Sequence, residues 1–428
     1  MHFSRSARSA VGVACSVLLG SLALTACGGS DSSSGGGGSS EPVEMWARAS
    51  TASQSQVMVE AYNASHDNDV KLTIVPTENY LQKVGVAAGA DELPCMLSSD
   101  VVYMPNFLAK NLFLDISERV NGLGFADSLA KGHMDLSSQD GKIYAVPHTI
   151  GMSAIFQNDL LLEKAGIDPD KPLTSLEQLA DNAAKVADLG DDMSGLYYTG
   201  NNGGSIAFTH FPFIWASGGE PLSEDGMTSE LDKSPSVEVF EAFNAMFKSG
   251  ATPDSVRNET GATRNEVFGK GKVGYMLASN SVLETVPDTK SLKVGVQAIP
   301  GVTGGQSTFV GGDVLGISAS CKQADAAWDF LSWSLSEEAQ VGVYGKANQL
   351  TVRTDLAENE YSAKNPRVKE LNVLVAEGRT PKALNFGQTF NDPNGPGLSA
   401  FRDALFGDDA KTALESSAAA VNSSLATR

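Results

Sequence analysis

The residues able to do covalent or metal chemistry are few and far apart in this chain. Five histidines are present. His66, His133, His148 and His210 lack the i,i+3 or i,i+4 pairing that puts two imidazoles on one helix face for zinc. No Gly-x-Ser-x-Gly elbow occurs, so the strained turn that exposes a serine nucleophile is missing. Ser128-x-x-Lys131 spells a serine–lysine pair, but it falls in an ordinary polar helix, where such a match arises by chance. The glycine-rich stretches at 28–40 and 301–305 lack the Lys-Ser/Thr or strand–turn–helix context that cradles phosphate. Carboxylates are plentiful, 51 Asp and Glu, so a glycosidase-like acid/base pair has material, yet nothing singles one out. These residues imply no metal, no cofactor and no enzyme.

The same counts narrow the partners. Lys and Arg number 31 against 51 acids, a formal charge of −20, which lacks the basic footprint of a nucleic-acid binder and disfavours electrostatic docking on anionic lipid. With 428 residues, 42% hydrophobic and 19% charged, the chain suits two or three ordinary globular domains.

The first 26 residues read as a secretory signal: Arg5 and Arg8 precede an apolar run, 10–24, too short and too rich in small residues for a membrane span. The run ends in Leu24-Thr25-Ala26-Cys27, which resembles the bacterial lipobox and marks Cys27 for lipidation. Two kinds of acyl chain there would make attachment durable. Residues 27–40 then hold the lipidated Cys and a Gly/Ser tether with an end-to-end distance of roughly 20 Å. With Cys15 in the signal and Cys27 on lipid, Cys95 and Cys321 remain, either as one disulfide of an exported protein or as two buried thiols.

From residue 43 on, short apolar runs alternate with helical patterns, the signature of an α/β protein. Strands are expected at 43–46, 70–75, 101–104, 143–147, 152–156, 273–277, 294–298 and 314–318. Helices are expected at 53–66, 80–88, 159–165, 236–247, 263–268, 324–335 and 410–425, with a further one opened by a capping box from Thr174 to Glu177.

Several segments together resemble the extracellular solute-binding proteins of ABC importers, particularly the family that carries sugars. They are Ile143-Tyr144-Ala145-Val146-Pro147 with Ala154-Ile155-Phe156-Gln157-Asn158, the helix 159–166, and Phe213-Ile214-Trp215-Ala216-Ser217-Gly218-Gly219. The segments 267–276, 309–318 and 326–331 complete the set. The resemblance implies a two-lobed periplasmic-binding-protein-like fold, with a hinge crossed more than once and a ligand cleft between the lobes. Lobe one is placed at 43–148 plus 308–355, and lobe two at 149–307 plus 356–428. It implies a monomer on the extracytoplasmic face of the bacterial cell membrane, handing a small-molecule sugar to ABC permease subunits.

Open α/β sheets bind ligands outside the carboxyl ends of their strands. The lobe-one candidates are therefore Trp46, Arg48, Glu78, Asn79, Tyr80, Met104 and Asn106, with His148 at the crossover. Lobe two offers Trp215, Ser279 and Asn280, and the return to lobe one offers Asp313, Asn348 and Arg353. Each has a plain structural alternative: both tryptophans as core, Tyr80 and Asp313 as caps, Glu78 as a first-turn charge, His148 as a hinge hydrogen-bonder. Competing functions are a binding protein for a polyamine or other small polar solute, which Glu78 and Asp313 would suit and Arg48 and Arg353 oppose, a secreted glycoside-degrading enzyme, and an adhesive surface protein.

Overall fold

The structure, a computed structural model, describes residues 41–375 and 378–427. The expected signal, Cys27 and the Gly/Ser tether lie outside the described residues. Apart from two short ribbons, the strands run β1 (Val43–Arg48), β2 (Val70–Val75), β3 (Met96–Asp100), β4 (Ala145–Pro147) and β5 (Gly151–Asn158). They continue with β6 (Ser194–Tyr197), β7 (Val273–Ser279), β8 (Val294–Gln297), β9 (Val310–Gly311) and β10 (Asp313–Ile317). Sheet one has the order β2-β1-β3-β10-β4, parallel from β2 to β3 and antiparallel where β10 enters. Sheet two has the order β8-β5-β7-β6, with β9 also on β5, and β6 runs parallel to β7. This is the expected α/β architecture of two sheet-centred lobes.

The chain passes between the sheets three times. Residues 148–150 join β4 to β5, and Gly312 joins β9 on sheet two to β10 on sheet one. A third passage follows Arg353, whose backbone bridges Leu129, before helix Pro366–Val375 packs on β8 and β5. Gly312 has φ +110°, and a Cβ there would lie 2.1 Å from Thr149 O, so only glycine lets two passages run this close. The carboxyl-terminal helices, Pro396–Phe406 and Ala410–Leu425, pack on each other and on helix Ser236–Lys248.

Two local readings are corrected. The third strand is Met96–Asp100 rather than 101–104, and Val101–Tyr103 is a 3-10 turn started by the Asp100 carboxylate, which accepts from Val102 N at 3.3 Å. Ser98 and Ser99 are fully buried there, although their polarity reads as loop. The helix Leu176–Ala187 is capped by Ser175, which accepts from Gln178 N at 3.1 Å, while Gln178 Oε1 accepts from Thr174 N at 2.8 Å. The cap is thus one residue later than the Thr174–Glu177 spacing suggests.

Cys95 and Cys321 are joined, tying the head of β3 to the turn after β10 across 226 residues of sequence. Closing so long a loop stabilises by about 5 kcal/mol in the chain-entropy model. Reduction, or the double substitution Cys95→Ala with Cys321→Ala, therefore lowers the melting temperature markedly in calorimetry. An unchanged melting temperature would contradict this.

Candidate functional site

Three charged residues share one end of sheet one. Arg48 closes β1, Asp100 closes β3, and Asp313 opens β10 directly opposite Asp100. Two facing carboxylates repel, and Arg48 lies between them and removes the conflict. Its Nη1 donates to Asp100 Oδ2 at 2.7 Å and its Nε to Asp313 Oδ1 at 3.0 Å, with a further short contact from Nη2 to Asp313. Thr51 and Ser98 hydroxyls donate to the other Asp313 oxygen at 2.8 and 2.9 Å.

The Asp313 backbone laces two passages together. Its carbonyl accepts from His148 N at 2.8 Å and Thr149 N at 3.0 Å, and its amide donates to Thr149 Oγ1 at 2.9 Å. Tyr344 Oη donates to His148 O at 3.0 Å, and Ser55 Oγ lies 3.2 Å from His148 Nε2. The ionisation follows this geometry. Burial alone would depress the Arg48 guanidinium, but Asp100 and Asp313 raise it. Burial pushes Asp313 up, yet Arg48 and the two hydroxyls hold it below the ordinary carboxylate range. Asp100 ends above that range, because burial outweighs Arg48. Burial holds His148 and the neighbouring His133 down at about 4, against the pull of Asp313.

The expected site residues divide accordingly. Arg48, Asp313 and His148 come together as a saturated knot: Asp313 is 0% exposed, its oxygens are engaged, and it and Arg48 brace the fold. Tyr80 is buried with its hydroxyl 2.9 Å from Ser99 Oγ, and Met104 lies in the core. Asn280 anchors the start of β5, accepting from Met152 N at 2.9 Å and donating its own amide to Met152 O at 3.0 Å. Ser279 Oγ is 2.7 Å from Ser281 Oγ. Arg353 pairs with Asp355 and covers the Phe125 ring at 3.8 Å, and Asn348 is an exposed left-handed residue, so neither joins the knot.

The remaining candidates are Trp46, Glu78, Asn79 and Asn106. Glu78 and Asn79 are exposed. Trp46 is half-buried, with Lys83 Nζ 4.0 Å from its ring centroid. Trp215 is 7% exposed and packed by Phe211, Phe309 and Arg379, with Arg379 Nη2 in turn donating to both Glu220 carboxylate oxygens at 2.8 and 2.9 Å. Trp215 is therefore a core ring rather than an open platform.

Contacts across the junction also involve residues that the sequence did not single out. Tyr103 Oη accepts from Asn391 Nδ2 at 3.0 Å, and Asn106 Nδ2 donates to Asn385 Oδ1 at 3.4 Å. Ser53 Oγ donates to Glu284 Oε2 at 3.4 Å. Buried Oδ1 atoms of Asn106 and Asn391 have no partner. A surface depression of about 450 Å³, lined by residues such as Asn359, Lys369 and Val373, lies away from all of these. Among the described residues no group of three His, Cys, Asp or Glu is placed to hold a metal ion.

Known proteins share this layout. The family model for bacterial extracellular solute-binding protein matches residues 57–370. A binding protein of Brucella abortus is 25% identical over 311 residues, 72% of this chain and 74% of that protein. The diacetylchitobiose binding protein of Streptomyces coelicolor is 23% identical, covering 78% and 77%. Among solved structures, maltose-bound MalE3 of T. maritima superposes with a TM-score of 0.78 at 20% identity, covering 89% of this chain and 98% of that one.

Two outcomes follow from the knot. Asp313→Asn leaves Arg48 buried with half its partners and destabilises the fold by about 3–5 kcal/mol in denaturant unfolding; a loss under 1 kcal/mol would contradict the brace. The second concerns pH. His133 and His148 bind protons near 4 when folded and near 6.5 when unfolded, so the unfolded chain takes up more protons between those values. Stability is complete above pH 6.5 and falls as the pH drops towards 4, a slope that His148→Gln reduces; a flat melting temperature across that window would contradict it.

Proposed function

We propose that this chain, which belongs to the bacterial extracellular solute-binding protein family, is a lipid-anchored receptor that delivers a mono- or oligosaccharide to an ABC import permease. Family members are binding proteins, not enzymes, and act outside the cytoplasm. The observation that carries the reading is the junction itself: two sheets joined by three passages, two of them laced together at Asp313, with Asn106 and Asn391 in contacts across it keeping buried amide oxygens without a partner. Such a pivot lets two lobes close on a small solute and hydrogen-bond it from both sides.

Carbohydrate is favoured over other solutes on two grounds. Relatives matching most of this chain are named for diacetylchitobiose and maltose. The partly exposed Trp46 ring would offer sugar C–H groups the face that Lys83 does not cover, and Asn106 and Asn391 would offer acceptors for hydroxyls. The amine reading drew on Glu78 and Asp313, and of these the Asp313 carboxylate is already committed to Arg48, Thr51 and Ser98. Cys27 would carry the lipid, with the 28–40 tether holding the folded part off the membrane as a monomer.

A thermal-shift screen of mono- and oligosaccharides tests this. A cognate sugar at a hundred times its Kd stabilises by about 2.7 kcal/mol. Trp46→Ala weakens that sugar by about tenfold or more, whereas Trp46→Phe, which keeps an apolar ring in place, weakens it less. Stabilisation by amines but no sugar would refute the reading.

A further inference from the structure

Arg264 carries a charge that the fold does not neutralise. It opens the short helix Arg264–Gly269 and is only 9% exposed. Its hydrogen bonding among the described residues is one long contact, Nη1 to Thr199 Oγ1 at 3.4 Å, and its Nε is buried without a partner. The acid that acts on it, Glu259, is committed elsewhere: its carboxylate accepts from Gly261 N at 2.7 Å, Thr263 N at 3.3 Å, Thr263 Oγ1 at 2.6 Å and Tyr197 Oη at 3.2 Å. Burial accordingly brings the Arg264 guanidinium down to about 10, with Glu259 opposing only in part.

The other buried arginines show what a satisfied one looks like in this molecule. Arg48 has two aspartates, and Arg353 has Asp355. Burying a guanidinium without such partners is costly, so it persists where something outside the chain completes it.

The position of Arg264 says what that something meets. Thr199 lies just past the carboxyl end of β6. The next residue, Asn265, donates to Thr285 Oγ1 at 2.8 Å, and Thr285 lies in the turn of helix Val282–Thr285 that follows β7. Arg264 thus stands at the carboxyl ends of the parallel pair β6 and β7. The end of β7, Ser279, is in register with Ser153 near the start of β5, where the chain arrives from sheet one. That edge of sheet two is the one turned towards the junction, where open α/β sheets hold ligands.

We infer that Arg264 receives a carboxylate of the solute, so that the saccharide bound in the junction is an acidic one bearing a uronic-acid residue. A guanidinium offers a planar donor fork that matches a carboxylate, and a desolvated site strengthens the pair. The acidic surface, −20 overall, would repel such a solute at a distance, so discrimination has to come from a local, unscreened cation. The inference rests on the proposed carbohydrate-binding function.

The test uses titration calorimetry on the intact protein with glucuronate, galacturonate and their disaccharides, each against its neutral glucose or galactose counterpart. At least one acidic sugar is expected to bind about tenfold to a hundredfold tighter than its counterpart, and Arg264→Gln should abolish the preference, the acidic and neutral counterparts then binding within about threefold of each other. Without ligand, Arg264→Gln is expected to melt no lower than the natural protein, because it removes an unpaired buried charge. Neutral sugars binding as tightly as acidic ones, a preference that survives the substitution, or a lower melting temperature for Arg264→Gln would each overturn the inference while leaving carbohydrate binding intact. Failure of every sugar, acidic and neutral, would overturn the carbohydrate reading itself.

Discussion

A carboxylate and a guanidinium 265 residues apart in sequence meet inside this protein, and most of its geometry is arranged around their meeting. Desolvating both ions is expensive, and their attraction offsets that only when the remaining lone pairs and protons are also engaged. Thr51, Ser98 and Asp100 supply those partners. Because the backbone of Asp313 also bonds to His148 and Thr149, fixing its side chain fixes two of the three passages between the sheets. The pair therefore specifies where the lobes pivot more than how stable each lobe is.

A pivot of this kind separates two jobs that compete for the same residues. Groups that hold the hinge must be buried and satisfied, whereas groups that take up a solute must be left wanting. The structure divides them in part, since the buried Nδ1 of His148 at the pivot also has no partner. Arg48, Asp313 and the backbone of His148 are saturated, while Asn106, Asn391 and Arg264 keep buried polar atoms with no partner. Contacts across the junction include single polar bonds, such as Tyr103 with Asn391 and Ser53 with Glu284. Single bonds of this kind are worth little net and can open without unfolding either lobe.

The α/β alternation was legible because it is written in periodicity: β1, β2, β10 and the helix Ala324–Ser334 fall where the apolar pattern puts them. The third strand was not, because its buried Ser98 and Ser99 serve Asp313 and Tyr80 rather than an apolar core, and polarity in a strand looks like a loop. The sequence could flag Arg48 and Asp313 as special but not that they pair with each other, since only folding brings them together. Arg353 and Asn348 looked relevant through sequence proximity to a passage, yet their local partners hold them elsewhere. Arg264 left no signal at all: an arginine opening a helix is ordinary until its burial and the prior commitment of Glu259 are seen.

Amide hydrogen exchange with and without a stabilising saccharide tests the pivot most directly. The amides of His148, Thr149 and Asp313 should be among the slowest in the chain and indifferent to the sugar, while those around Tyr103 and within 385–391 should slow when it is added. Rapid exchange at Asp313 in the free protein, or protection at the pivot that appears only with ligand, would mean that the ion pair does not hold the lobes and that the account is wrong.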